Sequence, residues 1–432
     1  MSFDSMNSPV SSSAADGVPR TPELQERPAY WSGVLAMTLC VFVLIASEFM
    51  PVSLLTPMAA DMRVSEGWIG YGIAISGAFA VLTSLSIPAL AGAINRKTLL
   101  LGLTALMGVS GLVVGMAHSY AVYMVGRALI GVVVGGFWAM SAAVAMRLVP
   151  ASKVAKALAI FNSGNALATV VAAPLGSYLG GIIGWRGAFL CLVPLALVAL
   201  VWQWMALPSM RVEPPAAPRQ AGPRSAQRFS LFRILQRPVV RRGMLAAGAF
   251  FMGQFMLFTY VRPFLETAAQ ADSVHLSLVL LLMGGAGFIG TSLVGLVLKK
   301  GLYRTLCSMA LLMAGLALAL VIWGKGLNTA SVLLALWGLL ATAAPVGWWL
   351  WLAQTLPDDA EAGGGLMVAV IQLSIALGST SGGLLFDSQG YQGTFVASAG
   401  VLLLAAGLIA ATAMAKRAAQ AQTNRPRRAA TA

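Results

Sequence analysis

The chain has 432 residues, of which 58% are hydrophobic and only 10% charged, and its formal net charge is +14. A water-soluble protein with this balance could not cover itself with polar side chains, so the composition excludes an ordinary soluble domain. The positive charge suggests nucleic acid at first, but no polar segment is long enough to fold into a soluble domain that could present it, so no nucleic-acid partner is expected.

In chain order, residues 1–30 are rich in Ser and Pro, contain acids and lack the basic head of a signal peptide; they read as a tail that the first span follows uncleaved. That span, near 31–55, is WSGVLAMTLCVFVLIASEFMPVSLL, and Glu48 is its only charge. A carboxylate within a bilayer is costly unless it is paired, protonated or facing a water-filled cavity. Glu48 is therefore a candidate for proton exchange or solute contact, with a structural hydrogen bond as the bland alternative. Pro51 beside it removes a backbone donor and favours a bend that opens carbonyls to a cavity.

Five more spans follow near 68–92, 98–117, 120–146, 158–182 and 187–207. Asn95, Arg96 and Lys97 make a basic turn after the second. In the fourth, helical spacing sets Arg127, Gly131 and Gly135 roughly along one face, where the glycines admit a neighbouring helix and the guanidinium needs carboxylate, carbonyls or water. The alternative is an arginine snorkelling to the interface. Phe137 and Trp138 lie deeper and could stack on a planar solute. The fifth span holds Asn165, a candidate cavity donor, then Pro174, Gly176, Gly180 and Gly181, a bend or sliding surface that close packing explains nearly as well.

Residues 208–242 are rich in Pro, Ala and Arg and read as an extended linker between a six-helix bundle over 31–207 and a second over 243–414. Within it, Phe229–Leu235 is a short amphipathic stretch suited to the membrane interface. The second set of spans is placed near 243–262, 276–298, 304–324, 330–352, 364–386 and 392–414, before a tail over 415–432. Gln254 and Tyr260 in span seven and Gln372 and Ser374 in span eleven are its polar candidates, with Arg262, Pro263 and Glu266 at the outer end of span seven. Trp348, Trp349 and Trp351 suggest an interfacial aromatic belt. Cys40, Cys191 and Cys307 read as small buried hydrophobes without partners, and His118 and His275 are far apart, so neither a metal nor a cofactor is expected. A phosphate-binding Walker loop is also missing, which argues against ATP-driven pumping, and no enzyme is expected.

With both termini on the cytosolic side, 23 of the 28 Lys and Arg residues fall there; Arg63, Arg186, Arg262 and Lys325 lie opposite and Arg127 within a span. That bias is the positive-inside pattern. The halves also repeat one another: Gly176, Gly180 and Gly181 answer to Gly378, Gly382 and Gly383, and the run from Trp185 to Phe189 answers to that from Tyr391 to Phe395. Duplicated six-helix halves suit a transporter that alternates about a central site.

These residues resemble the major facilitator superfamily, in its twelve-helix drug–proton antiporter type. The turn through Asn95, Arg96 and Lys97 matches its first cytosolic-loop motif in degenerate form, with Asn95 where an acid is usual. Arg127, Gly131 and Gly135 match its span-four motif, whose arginine is associated with proton coupling, and Gly164 through Pro174, Gly176 and Gly180 match its antiporter motif, with Ala173-Pro174 in place of the usual Gly-Pro. The segments from Ser47 to Pro57, Ile75 to Leu85, Gly136 to Ala142 and Gly164 to Thr169 are closer still to the bacterial purine ribonucleoside exporters of that superfamily. The resemblance implies an all-α polytopic major facilitator fold that exports inosine- and guanosine-like nucleosides through the bacterial inner membrane. Protons would be the coupling ion, a small neutral solute and membrane lipid the partners, and a monomer the working unit. Export of drugs, amino acids or sugars is the nearest alternative, and a receptor or scaffold that moves nothing the remote one.

Overall fold

The computed structural model describes residues 29–90, 94–150, 153–210, 235–356 and 360–429. The tail up to residue 28, the linker over 211–234 with most of its amphipathic stretch, and the last three residues lie outside them. The described chain is helical: α1 Trp31–Met62, α2 Glu66–Leu90, α3 Arg96–Gly115, α4 Tyr120–Arg147, α5 Val154–Leu190, α6 Leu192–Ala206, α7 Pro238–Phe258, α8 Val261–Thr267, α9 Ser273–Leu298, α10 Leu302–Trp323, α11 Leu327–Thr355 and α12 Ala360–Ala429. Short polar residues start several of them. Asn95 Oδ1 accepts from the Lys97 amide (3.0 Å) at α3, Asp272 Oδ1 from the His275 amide (2.8 Å) at α9, and Pro238 opens α7 at a position that needs no donor.

Ten apolar helical stretches are long enough to cross a bilayer, and two of these are 51 and 53 residues long. At about 1.5 Å per residue each of the two would measure roughly twice the ~30 Å of a hydrocarbon core. Both are folded back at a glycine outside helical geometry, Gly184 (φ 74°, ψ 164°) in α5 and Gly390 (φ 67°, ψ −166°) in α12. At the second, Thr394 Oγ1 donates to Gly382 O (3.1 Å), fastening the returning arm to the arm it left. Divided at these glycines, the stretches make twelve crossings, six in each half. Because the number is even, Trp31 and Ala415 lie at one face of the bundle (the terminal face), opposite the distal face that carries Met62 and Gly390.

Each half has its own apolar core. The first is centred on α1, which packs on α5 and α6, with α2 on α4. The second is built around α7 packed on α12 and α9 packed on α11. The halves meet along two seams, α2 with the first arm of α12 and α5 with α9, and α8 adds a smaller contact to α1. Val52, Ile73 and Ala173 reach into the second core, and Tyr260 into the first. Large apolar side chains such as Leu197, Trp204, Leu293 and Leu312 cover the outside, as a lipid-facing surface requires.

Four details differ from the sequence reading. The first helix continues to Met62 through Pro51 and Pro57, and span seven breaks after Phe258 into α7 and α8. Trp348 and Trp351 are buried rather than interfacial: Trp348 packs on Phe250 (6.1 Å) and Trp351 Nε1 donates to Tyr303 Oη (3.1 Å), leaving Trp349 alone exposed. Only Cys40 is buried; Cys191 is exposed and Cys307 half-buried.

Candidate functional site

The site starts from two prolines in α1. A proline has no amide hydrogen, so the carbonyl four residues earlier loses its helical donor. Pro51 does this to Ser47 and Pro57 to Ser53. Arginines cap both. Arg127 Nη1 donates to Ser47 O (2.8 Å), while its Nη2 donates to Glu48 O (3.0 Å) and its Nε to Gly72 O (3.1 Å). Arg262 Nη1 donates to Ser53 O. Arg127 is 1% exposed and joins α1, α2 and α4, so it does not snorkel. Carbonyl dipoles stand in for water around the charge.

The Glu48 carboxylate faces elsewhere. It is 4% exposed, and Oε1 accepts from Gln372 Nε2 (3.2 Å) on the first arm of α12. Among the described residues, Glu48 and Arg127 form no ion pair; the guanidinium holds the Glu48 carbonyl while the side chain reaches across to the other half. Beside it, Phe49 stacks on Phe255 (5.7 Å) and meets Phe258 edge-on (6.3 Å), a second contact between the halves at this level.

The glycines place these groups by letting helices touch. A Cβ on Gly131 would meet Ser76 O and one on Gly135 the backbone of Ala80, so both press α4 onto α2. Gly176 and Gly180 lie against Met50, Ser53 and Leu54 of α1, and Gly378 and Gly382 lie likewise against Met252 and Met256 of α7. Pro174 frees the carbonyl of Val170, and there Gly284 of α9 comes close across the second seam.

The other sequence candidates are dispersed. Gln372 joins Glu48, whereas Gln254 is nine-tenths buried with Oε1 unpaired. Asn165 and Trp138 are half-buried. Phe137 has no accessible surface and stacks on Phe161 (6.3 Å) inside the first half's core. Tyr260 sits at the distal seam, its hydroxyl donating to Ser379 O (2.8 Å) and its ring on Phe386. Asn95 turns into its own half: beyond capping α3, Oδ1 accepts from the Met210 amide (3.1 Å) and Nδ2 donates to Ser209 Oγ (2.8 Å). Arg96 N donates to Met210 O (3.2 Å), and Lys97 supplies the capped amide. Sequence reasoning missed Asp387. Its Oδ2 accepts from Ser65 Oγ (2.5 Å) and its Oδ1 from the Gly67 amide (3.2 Å), so a carboxylate of the second half caps α2 of the first.

The profile of the Major Facilitator Superfamily matches residues 37–363. The chain belongs to this superfamily. It is 63% identical over 394 residues to the Transcription regulatory protein OpdE of Pseudomonas aeruginosa, covering 91% of this chain and 96% of that one. It is 41% identical over 397 residues to the Purine ribonucleoside efflux pump NepI of Salmonella typhimurium, covering 92% and 96%. Among solved structures, an inward-facing, unoccupied bacterial homologue of the human lysosomal transporter Spinster superposes with a TM-score of 0.74 at 15% identity, covering 89% of this chain and 97% of that one. A D-xylose–proton symporter superposes with a TM-score of 0.68 at 17% identity, covering 88% and 97%. The fold is that of a non-enzymatic, multi-pass membrane transporter.

Proposed function

We propose that this protein exports purine ribonucleosides in exchange for protons, with the terminal face in the cytosol of a bacterial inner membrane. The observation that carries the reading is the contact between Glu48 and Gln372: the one acid of α1's apolar interior is hydrogen-bonded to the opposite half of the transporter. A carboxylate accepts the Gln372 amide as an anion. On protonation it loses that charge and half of its pull on the donor, so loading a proton weakens a tie between the halves. Arg127 positions this acid by gripping its backbone. A neutral nucleoside needs polar groups for its ribose and base edge and an apolar face for its rings. Asn165 and the unpaired Gln254 supply the first, and Trp138 with the Phe49 cluster the second; Tyr260 and Phe137 support the frame.

The cycle then runs as export. Solute enters from the cytosol while Glu48 is charged, a proton from outside displaces it, and the return releases that proton inward. The 41% identity to NepI supports nucleosides over drugs, amino acids or sugars. The 63% identical relative, named a transcription regulatory protein, favours a second reading in which the chain binds a solute and signals without moving it. Purified protein in liposomes separates these. Saturable inosine and guanosine flux driven by a pH gradient, with each inhibiting the other, supports export; gradient-driven flux of sugars, amino acids or drugs instead replaces the substrate; binding without flux supports the sensor.

A further inference from the structure

The two proline-freed carbonyls are capped by the same chemistry but at different places in the machine. Ser47 O is capped by Arg127 from its own half, so that bond survives any movement of one half against the other. Ser53 O is capped by Arg262, which belongs to the opposite half. Arg262 stands on α8, the short helix formed where span seven breaks, and it is 6% exposed. Glu266, one turn on, holds it: Oε1 accepts from Nε (2.8 Å) and from Nη2 (2.8 Å). The guanidinium therefore keeps a carboxylate when it leaves Ser53, and its separation exposes no unpaired charge. The freed carbonyl would meet only the water of an opening cleft.

We propose that Arg262 is the latch of the distal gate: it closes that face by capping the carbonyl that Pro57 releases, Glu266 positions it, and outward opening requires the bond to break. The neighbouring contacts share this location. Asp387 caps α2 across the seam, and Tyr260 lies where a Cβ on Gly70 or Gly383 would strike its hydroxyl. A charge-assisted bond to a carbonyl biases such a two-state equilibrium by about tenfold or more.

The test reads gate opening without any solute, so its result is independent of the nucleoside reading. Spin labels are placed on the exposed distal-face residues His118 and Lys325, one in each half, by cysteine substitution after Cys40, Cys191 and Cys307 are changed to alanine. Distances are measured by double electron–electron resonance in nanodiscs. Arg262→Ala is expected to raise the ratio of the long-distance to the short-distance population by about tenfold. Pro57→Ala returns a helical donor to Ser53 and is expected to shift it the same way while leaving every charge in place. Arg186→Ala removes an equal charge at the same face, but its partners, Asp61 and Ala117 O, lie in its own half, and the distribution is expected to stay as in the parent. An unchanged distribution in both Arg262→Ala and Pro57→Ala, or an equal shift in Arg186→Ala, overturns the proposal. If Arg262→Ala yields no folded protein, Pro57→Ala decides alone.

Discussion

Arg127 should be worth more in the presence of Pro51 than in its absence. Of the three carbonyls it caps, Glu48 O and Gly72 O face Val52 and Ser76 four residues on, both ordinary helical donors, whereas Ser47 O faces Pro51. Arg127→Ala therefore orphans one buried carbonyl fully, at about 1–3 kcal/mol. In Pro51→Ala the helix supplies that donor itself. The gain of about 3 kcal/mol from removing an interior proline enters both backgrounds and cancels in a double-mutant cycle. The coupling energy between positions 51 and 127 is thus expected at about 1–3 kcal/mol, above the ~0.6 kcal/mol average of interhelical bonds in membranes. Reversible unfolding of the four variants in mixed micelles measures it. If Arg127→Ala costs the same with proline and with alanine at 51, the capping argument is wrong.

Three further outcomes follow from the same geometry. Gly135→Val directs its Cβ into the Ala80 backbone, which cannot rotate away, and is expected to cost about 1–3 kcal/mol or more in the same unfolding assay. Gly184→Ala and Gly390→Ala meet no neighbouring atom within 4 Å, so their loss, about 1–3 kcal/mol each, comes from positive φ alone; equal stability to the parent would contradict the hairpin geometry. The Asp272 carboxyl is held below the usual carboxylate range by the His275 amide at the start of α9. Its stabilisation is complete above the unfolded carboxylate value and fades as pH falls through the lower folded one. The stability gap between parent and Asp272→Ala should therefore close as pH falls through the carboxylate range.

Much of this was legible in the chain. Apolar run lengths set the number of crossings, and the repeated glycine runs pointed to two like halves; that they press α5 onto α1 and α12 onto α7 is visible only in the packed helices. Glu48 and Arg127 stood out because charge is costly within a bilayer. What they touch was not readable: Pro51 and Pro57 announce two freed carbonyls, but nothing local says that the caps come from residues 127 and 262. Asp387 escaped notice for the same reason, since an acid in a connection looks solvated until the halves are packed. The tryptophans misled because a belt and a core share one composition, and only the contacts with Phe250 and Tyr303 tell them apart.

Glu48 is proposed to carry the coupled proton. The most direct measurement compares inosine flux driven by a pH gradient in vesicles holding the parent or Glu48→Gln at equal amounts of folded protein. Saturable flux that collapses when the gradient is dissipated is expected for the parent, and gradient-driven flux no greater than in protein-free vesicles for Glu48→Gln. Gradient-driven flux in Glu48→Gln equal to the parent would contradict it.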